Sequence, residues 1–287
     1  MRKKQSKKHS QLKQVWRSLR RNKLAVIGMC FVILLVLVAI FADIIAPYHY
    51  ADMNIVDRLK YPQPGHWLGT DDMGRDILSR IIYGGRVSLL LSLAALAMSL
   101  IVGGILGCVA GFFGGIADSV IMRVADILMS IPALLLAVAV ATVMGGGLLS
   151  TAVAIAVSGI APSARILRST VLKIRENEFI EAARATGSGN LRIIAVHVLP
   201  NSLAPIIVDA SLRIGGGIMV ISMLSFIGLG VSAPRAEWGS MLNQGLGYIR
   251  DFYPLVTFPG IAIMLTLFGF NMFGDGLRDA LDPRLKQ

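Results

Sequence analysis

Leu24 to Ala42 reads LAVIGMCFVILLVLVAIFA, nineteen residues without a charge. As a helix rising ~1.5 Å per residue it extends about 28 Å, close to the ~30 Å of a bilayer's hydrocarbon core. Its apolar residues cover every face, so it is not the one-sided helix of a soluble surface. A secretory signal would have a shorter apolar region and a small-x-small cleavage site, and neither is present. The segment is read as a retained transmembrane helix. That reading constrains everything after it, because backbone groups inside lipid must be satisfied within helices or a closed barrel.

Five more apolar segments follow the first, which runs over about 24–46. They lie at about 87–110, 120–143, 148–162, 203–230 and 256–274. Arg123, Asp126 and Pro132 interrupt the third, and the fourth is short. Only 16% of the chain is charged and its mean hydropathy is +0.68, against about 25% charge in soluble domains. The expected class is an all-α integral membrane protein with six transmembrane helices.

The net charge of +11 is unevenly placed. Arg2, Lys3, Lys4, Lys7, Lys8 and Lys13 open a basic run that reaches Lys23 with no acid in it. Such a run suits either nucleic acid or anionic headgroups. Placed directly before a membrane helix, it reads as a cytoplasmic topology signal, with no nucleic-acid partner. An inside N-terminus also puts Arg165, Arg168, Lys173, Arg175, Arg184, Arg192, Arg278, Arg284 and Lys286 inside. The outer loops keep Arg58, Lys60, Arg75, Arg80, Arg86, Arg235 and Arg250. Both termini are therefore expected in the cytoplasm. The chain divides into a basic arm and first helix (1–46), an extracytoplasmic polar region (47–86), a five-helix membrane domain (87–276) and a cytoplasmic tail (277–287). The membrane domain carries a cytoplasmic loop over 163–202.

Gly103, Gly107, Gly111 and Gly115 recur at every fourth position and share one helical face. Such a ladder permits close backbone packing between membrane helices, with a glycine-lined pathway as the alternative. Gly215-Gly216-Gly217 suggests another close contact or a flexible point. Asp209 and Arg213 are one turn apart in the fifth segment and can neutralise each other, lining a pathway or serving packing. In the polar region, Asp76 and Arg80 have the spacing of a helical ion pair. That region reads either as an external cap that meets a partner or as a lid over helix ends.

Enzymatic signatures are missing. There is no GxxxxGK[ST] phosphate loop and no HExxH. His9, His49, His66 and His197 are scattered, and Cys30 and Cys108 form neither a metal set nor a disulfide framework. No serine, base and acid combine into a nucleophilic set.

The polar stretch EFIEAARATGSGNLRIIAVHVLPN, Glu178–Asn201, stands apart from its apolar flanks. An amphipathic helix is expected over Arg165–Ala185. Gly187 and Gly189 then supply a turn. Asn190 is placed to cap a second short helix that Pro200 would end. Two short helices at a sharp angle can lie passively on headgroups, or their alanines can leave room for another protein surface. The residues alone keep both open.

The spacing EAARATG, nine residues, then HVLP, resembles the EAA signature of permease subunits of binding-protein-dependent ABC importers. Glu181, Ala182, Ala183 and Gly187 match its first half, and Leu199 and Pro200 its end. HWLGTDDMGRDILSRIIYGGRVSL (66–90), AEWGSML (236–242) and FNMFGDGLRDALDPRLK (270–286) resemble the C-type permeases of dipeptide, oligopeptide and nickel importers. The resemblance covers nearly the whole chain. It implies a coupling helix pair between transmembrane helices 4 and 5 that sits in a groove of an ATPase. It also implies a second related permease subunit, two cytoplasmic ATP-binding subunits, and an extracytoplasmic substrate-binding protein. ATP and Mg would be bound by the ATPase subunits and no cofactor by this chain, in a bacterial or archaeal cytoplasmic membrane. Peptide is the expected substrate, with a nickel or metal-chelate importer as the near alternative. A stand-alone secondary transporter or channel is the rival from another class, and would need inverted repeats or more intramembrane charge.

Overall fold

The computed structural model describes residues 16–281. The basic run before Trp16 and the end of the 270–286 motif after Leu281 lie outside the described residues. Among the described residues the chain is helical, with only two isolated bridges, Gln63 to His66 and Thr70 to Asp76. Five helices are long and apolar enough to cross a membrane, or six if one bent pair is a single span.

The first, α1 (Lys23–Ile40), starts where Asn22 Oδ1 accepts from the amides of Leu24 and Ala25, at 3.1 and 3.2 Å. α2 (Ile77–Phe113) begins ten residues before the apolar stretch expected at 87. Ile77 to Arg86, counted in the expected polar region, are therefore helical and continuous with this span. The third segment is not one helix. α3 (Gly115–Ser130) and α4 (Ala133–Val143) meet at 92°. The break is at Ile131, held extended (ψ 128°) by Pro132, which excludes the residue before it from helical backbone. Asp118 and Asp126 of α3 pair with Arg168 and Arg165, so charges that interrupt the apolar pattern are neutralised.

α5 (Leu148–Arg175) runs well past the boundary expected at 162 and carries Pro162 inside it. α6 (Glu178–Ala185) is a separate helix, so the single helix expected over Arg165–Ala185 is broken at Asn177. α7 (Asn190–Phe226) is continuous through Pro200. Pro200 does not stop it, because the preceding turn, Ile194–Val198, is widened to π geometry. There Leu199 N–H donates to Ile194 C=O, five residues back, and the looser turn accommodates a ring that would clash with a regular one. α8 (Trp238–Gly245) and α9 (Pro254–Leu281) complete the chain.

Contacts divide the described chain into two units. In the unit made of residues up to Ser92 and from Ser211 onward, α1 packs on α9 through small residues. A Cβ on Gly28 would approach Phe273 N to 2.6 Å, and one on Gly276 would approach the Ala25 Cβ to 2.0 Å. The same unit holds a buried polar cluster. Asp71 accepts from Arg75 Nε at 2.7 Å and lies 3.3 Å from Arg80 Nε, with all three side chains under 5% exposed. The expected Asp76–Arg80 pair does not form. Asp76 instead accepts from Ser79 N at 2.8 Å, capping α2, and contacts His66 Nδ1 at 3.0 Å.

In the unit Leu93–Ala210, α2 and α5 meet along the glycine face. A Cβ on Gly103 would lie 2.5 Å from Ile160 O, on Gly107 2.2 Å from Ala164 O, and on Gly111 2.9 Å from Arg168 O. Both helices step by four residues, so one backbone row faces another. Gly115 does not join this row. It has φ +58° and nothing within 4 Å of an added Cβ, and forms the α2–α3 turn with Gly114 (φ +68°).

Candidate functional site

The Glu178–Asn201 stretch is a built structure with its own core. α5 ends at Arg175, and Asn177 just beyond it donates from Nδ2 to the Lys173 and Ile174 carbonyls, both at 3.0 Å. α6 then carries Glu178 and Glu181 in its first turn and Arg184 in its last, the arrangement its dipole favours. It ends in a Schellman cap: Ser188 N donates to Ala183 O at 3.0 Å and Gly187 N to Arg184 O at 2.9 Å. This cap needs a left-handed residue, and Gly187 supplies it at φ +79°. Gly189 has ordinary φ (−67°) and is the residue that caps α7, the place expected for Asn190.

Burial sorts the residues of this stretch by role. Ile180, Ile193 and Val198 are fully buried and Ala183 nearly so, packed with Phe112, Val171 and Ile174. Glu178, Phe179, Glu181, Ala182, Ala185, Gly187, Leu199 and Pro200 are exposed. Of the six residues singled out by the signature, Ala183 faces inward and belongs to the support. The ring of Phe179 lies 6.2 Å from that of His197, so the arms on either side of the turn also touch outside the core. The result is an exposed face of mixed charge, with Glu178, Glu181 and Arg184 around Ala182, held in fixed geometry.

Three supporting residues carried no sequence signal. Arg175 Nη1 donates to Phe112 O at 3.0 Å and Gly111 O at 3.4 Å, satisfying carbonyls at the end of α2. The Arg184 guanidinium lies 5.6 Å over the Phe112 ring. Beside this assembly is a cavity of about 460 Å³, lined almost wholly by apolar side chains including Ile105, Leu167, Leu191 and Ile194, with Asp209 at its margin. Asp209 and Arg213 are one turn apart on α7 and both are half-buried.

Two further quoted stretches meet in the other unit. Trp238 of AEWGSML stacks on Gly84 and Gly85 of the YGGRVSL run, 3.0 Å from where each Cβ would stand, and its Nε1 donates to Ile81 O at 2.9 Å. Glu237 is fully buried and accepts from Ser240 N at 2.9 Å and from the Ser88 and Ser222 hydroxyls at 3.4 Å. Stretches about 150 residues apart in sequence thus form one packed joint. Among the described residues, no group of His, Cys, Asp and Glu has the geometry to hold a metal.

The helical architecture is that of a membrane protein with five or six candidate spans among the described residues. Residues 103–287 match the model of the binding-protein-dependent transport system inner membrane component. Residues 10–62 match the N-terminal membrane domain of oligopeptide transport permease C. The chain belongs to this family of ABC-transporter permeases, which are membrane subunits rather than enzymes. It is 46% identical to the dipeptide transport system permease protein DppC of Alkalihalophilus pseudofirmus, over 96% of this chain and 90% of that protein. It is 43% identical to the di/tripeptide transport system permease protein DppC of Pseudomonas aeruginosa, over 96% and 93%. An inward-facing structure of the MetNI methionine ABC transporter shares the fold, with a TM-score of 0.57 and 19% identity over 71% of this chain and 96% of that one.

Proposed function

We propose that this chain is one of two related membrane subunits of an importer that moves di- and oligopeptides across a bacterial or archaeal cytoplasmic membrane. In this reading two ATP-binding subunits hold the ATP and Mg, and one of them docks on the α6 surface of this chain from the cytoplasm. A binding protein delivers peptide from the other side, where residues 47–76 lie. Both termini and the loop from Ser163 to Ser202 are cytoplasmic, in keeping with the bias of Lys and Arg. The relatives named for dipeptide and di/tripeptide transport support peptide as the substrate.

The observation that carries the docking assignment is the separation of roles within α6: Glu181 and Ala182 exposed on one face, Ile180 and Ala183 buried on the other. A helix so anchored transmits displacement; a loop without a core would absorb it. ATP-driven closure of the partner subunits would then switch the membrane subunits between inward- and outward-facing states. The test is reconstitution of the four membrane and ATPase subunits with the binding protein in proteoliposomes. Glu181→Lys and Gly187→Val should leave the chain in the membrane while ATP-driven peptide uptake is lost. Uptake at the wild-type rate in both variants would overturn the docking assignment.

A further inference from the structure

The last turn of α2 is held from two sides at once. Arg175, the final residue of α5, donates to the carbonyls of Gly111 and Phe112. Arg184, in the last turn of α6, covers the Phe112 ring. Between these contacts, Ile180 and Ala183 of α6 bury against Phe112, Val171 and Ile174. The chain joining α5 to α6 is only Glu176-Asn177, and Asn177 has extended backbone (ψ 143°). Left alone, such a link is a joint at which α6 can swing. A guanidinium placed against a helix's terminal carbonyls, and another placed over an aromatic ring, are directional contacts that oppose swinging.

We propose that Arg175 and Arg184 are positioning residues that latch α6 to the end of α2, so that a push on α6 moves α2 and α5 together and is not lost at Asn177. The inference rests on the docking reading of α6 and adds the route by which displacement enters the membrane helices. Arg184 acts through Phe112, which is 4% exposed and out of reach of any docked partner. α2 in turn is keyed to α5 by the glycine row at Gly103, Gly107 and Gly111. A latched α6 therefore drives two packed helices as one body.

The experiment measures peptide imported per ATP hydrolysed in proteoliposomes holding the full complex and its binding protein. Arg184→Ala and Phe112→Leu should each lower that ratio about tenfold, the factor expected for losing one cation–π or charge-assisted contact. Because both remove the same contact, the double variant should be no worse than the worse single. Arg175→Gln should lower the ratio similarly, and Arg175→Lys, which keeps a charged donor, should restore most of it. Additive losses in the double variant, or an effect of Arg184→Ala with none from Phe112→Leu, would place Arg184 at the docking surface and overturn the latch. Loss of the ATPase subunits from purified Phe112→Leu complex would also overturn it, since a latch acts after docking. Gly187→Val serves as the control: if it too imports normally, the docking reading fails; if it alone uncouples, only the latch fails. A second measurement reads the distance directly. In a chain whose own Cys30 and Cys108 are replaced by alanine, spin labels at Glu178→Cys and Phe113→Cys, both exposed positions, should give one narrow distance that ATP leaves unchanged. A shift or broadening with ATP would show α6 swinging free.

Discussion

Two glycines one turn apart on α2 should respond oppositely to the same substitution. An alanine methyl at Gly107 would stand 2.2 Å from Ala164 O and 3.0 Å from Ala164 Cα, both backbone atoms that cannot rotate away. One at Gly104 would stand 3.6 Å from Leu167 Cδ2, an ordinary contact with the flexible end of a side chain. Replacing a mid-helix glycine by alanine gains about 0.5–1 kcal/mol of backbone entropy. Overpacking a close helix contact costs roughly 1–3 kcal/mol. Gly104→Ala should therefore be neutral or stabilising, and Gly107→Ala should lose about 1–2 kcal/mol net. The two variants should differ by about 2 kcal/mol, or several degrees in apparent melting temperature. The assay is the fraction of detergent-purified complex that stays monodisperse after a temperature ramp, with both variants beside wild type. Equal stability of the two would refute backbone packing of α2 on α5 as the reason for the glycine row.

Other residues give sharper contrasts. Asp71→Ala removes the carboxylate nearest to Arg75 and Arg80, both almost fully buried, and leaves Arg75 with Asp72 at 3.6 Å; it should destabilise by about 3 kcal/mol, seen as loss of folded protein in the membrane fraction. Ala183→Glu buries a charge in the core under α6 and should also abolish folded protein, whereas Ala182→Glu should leave yield unchanged and impair uptake. At Gly187, valine should cost roughly 1–3 kcal/mol because φ is +79°. Gly187→Asn should be milder, since Asn tolerates left-handed backbone, and should keep partial uptake. The Asp57 carboxyl is held below its usual value of 3.8, chiefly by hydrogen bonding to Lys60. A lowered folded pKa stabilises at pH above the unfolded value, so the pair's contribution to amide protection in the Asn54–Lys60 turn should be complete above about pH 4 and fall away as pH drops through the lowered value. Exchange that stays unchanged down to the most acid pH the complex tolerates, beyond the acid slowing of intrinsic exchange, would contradict the pairing.

The membrane class and most helix positions were legible because lipid allows one backbone solution, and a charge-free run such as Leu24–Ala42 states it without ambiguity. Gly187 was legible for a similar reason: a turn between two amphipathic runs calls for left-handed backbone. Boundaries were less so. Apolarity ends where the bilayer ends, but helices do not, so α2 begins at Ile77 and α5 continues to Arg175. Pro200 reads as a stop, yet its helix does not end there, and the segment expected to close at 162 runs on past Pro162. At Pro200 the adjustment is a widened turn, which no periodicity in the sequence announces. Pro132 looks no different in sequence and does break its segment, because Ile131 takes extended backbone there.

The supporting residues of the candidate site were hidden for another reason. Arg175 reads as one more cytoplasmic base, and Phe112 as one more apolar residue near a helix end. Their roles come from an approach across more than 60 positions. Asp76 and Arg80 show the reverse error. Four-residue spacing suggested a pair, but Asp71 reaches Arg80 from the preceding turn and leaves Asp76 to cap α2. Local spacing proposes partners, and the fold decides among them.

The claim that the exposed side of α6 is where an ATPase subunit seats is tested most directly by site-specific cross-linking in the assembled complex. A photoreactive probe on Ala182→Cys should form an adduct with the ATP-binding subunit that a probe on the exposed Trp67→Cys, in the 47–76 region, does not. No adduct at Ala182 in a complex that still imports peptide, or an ATPase adduct at Trp67, would contradict the account.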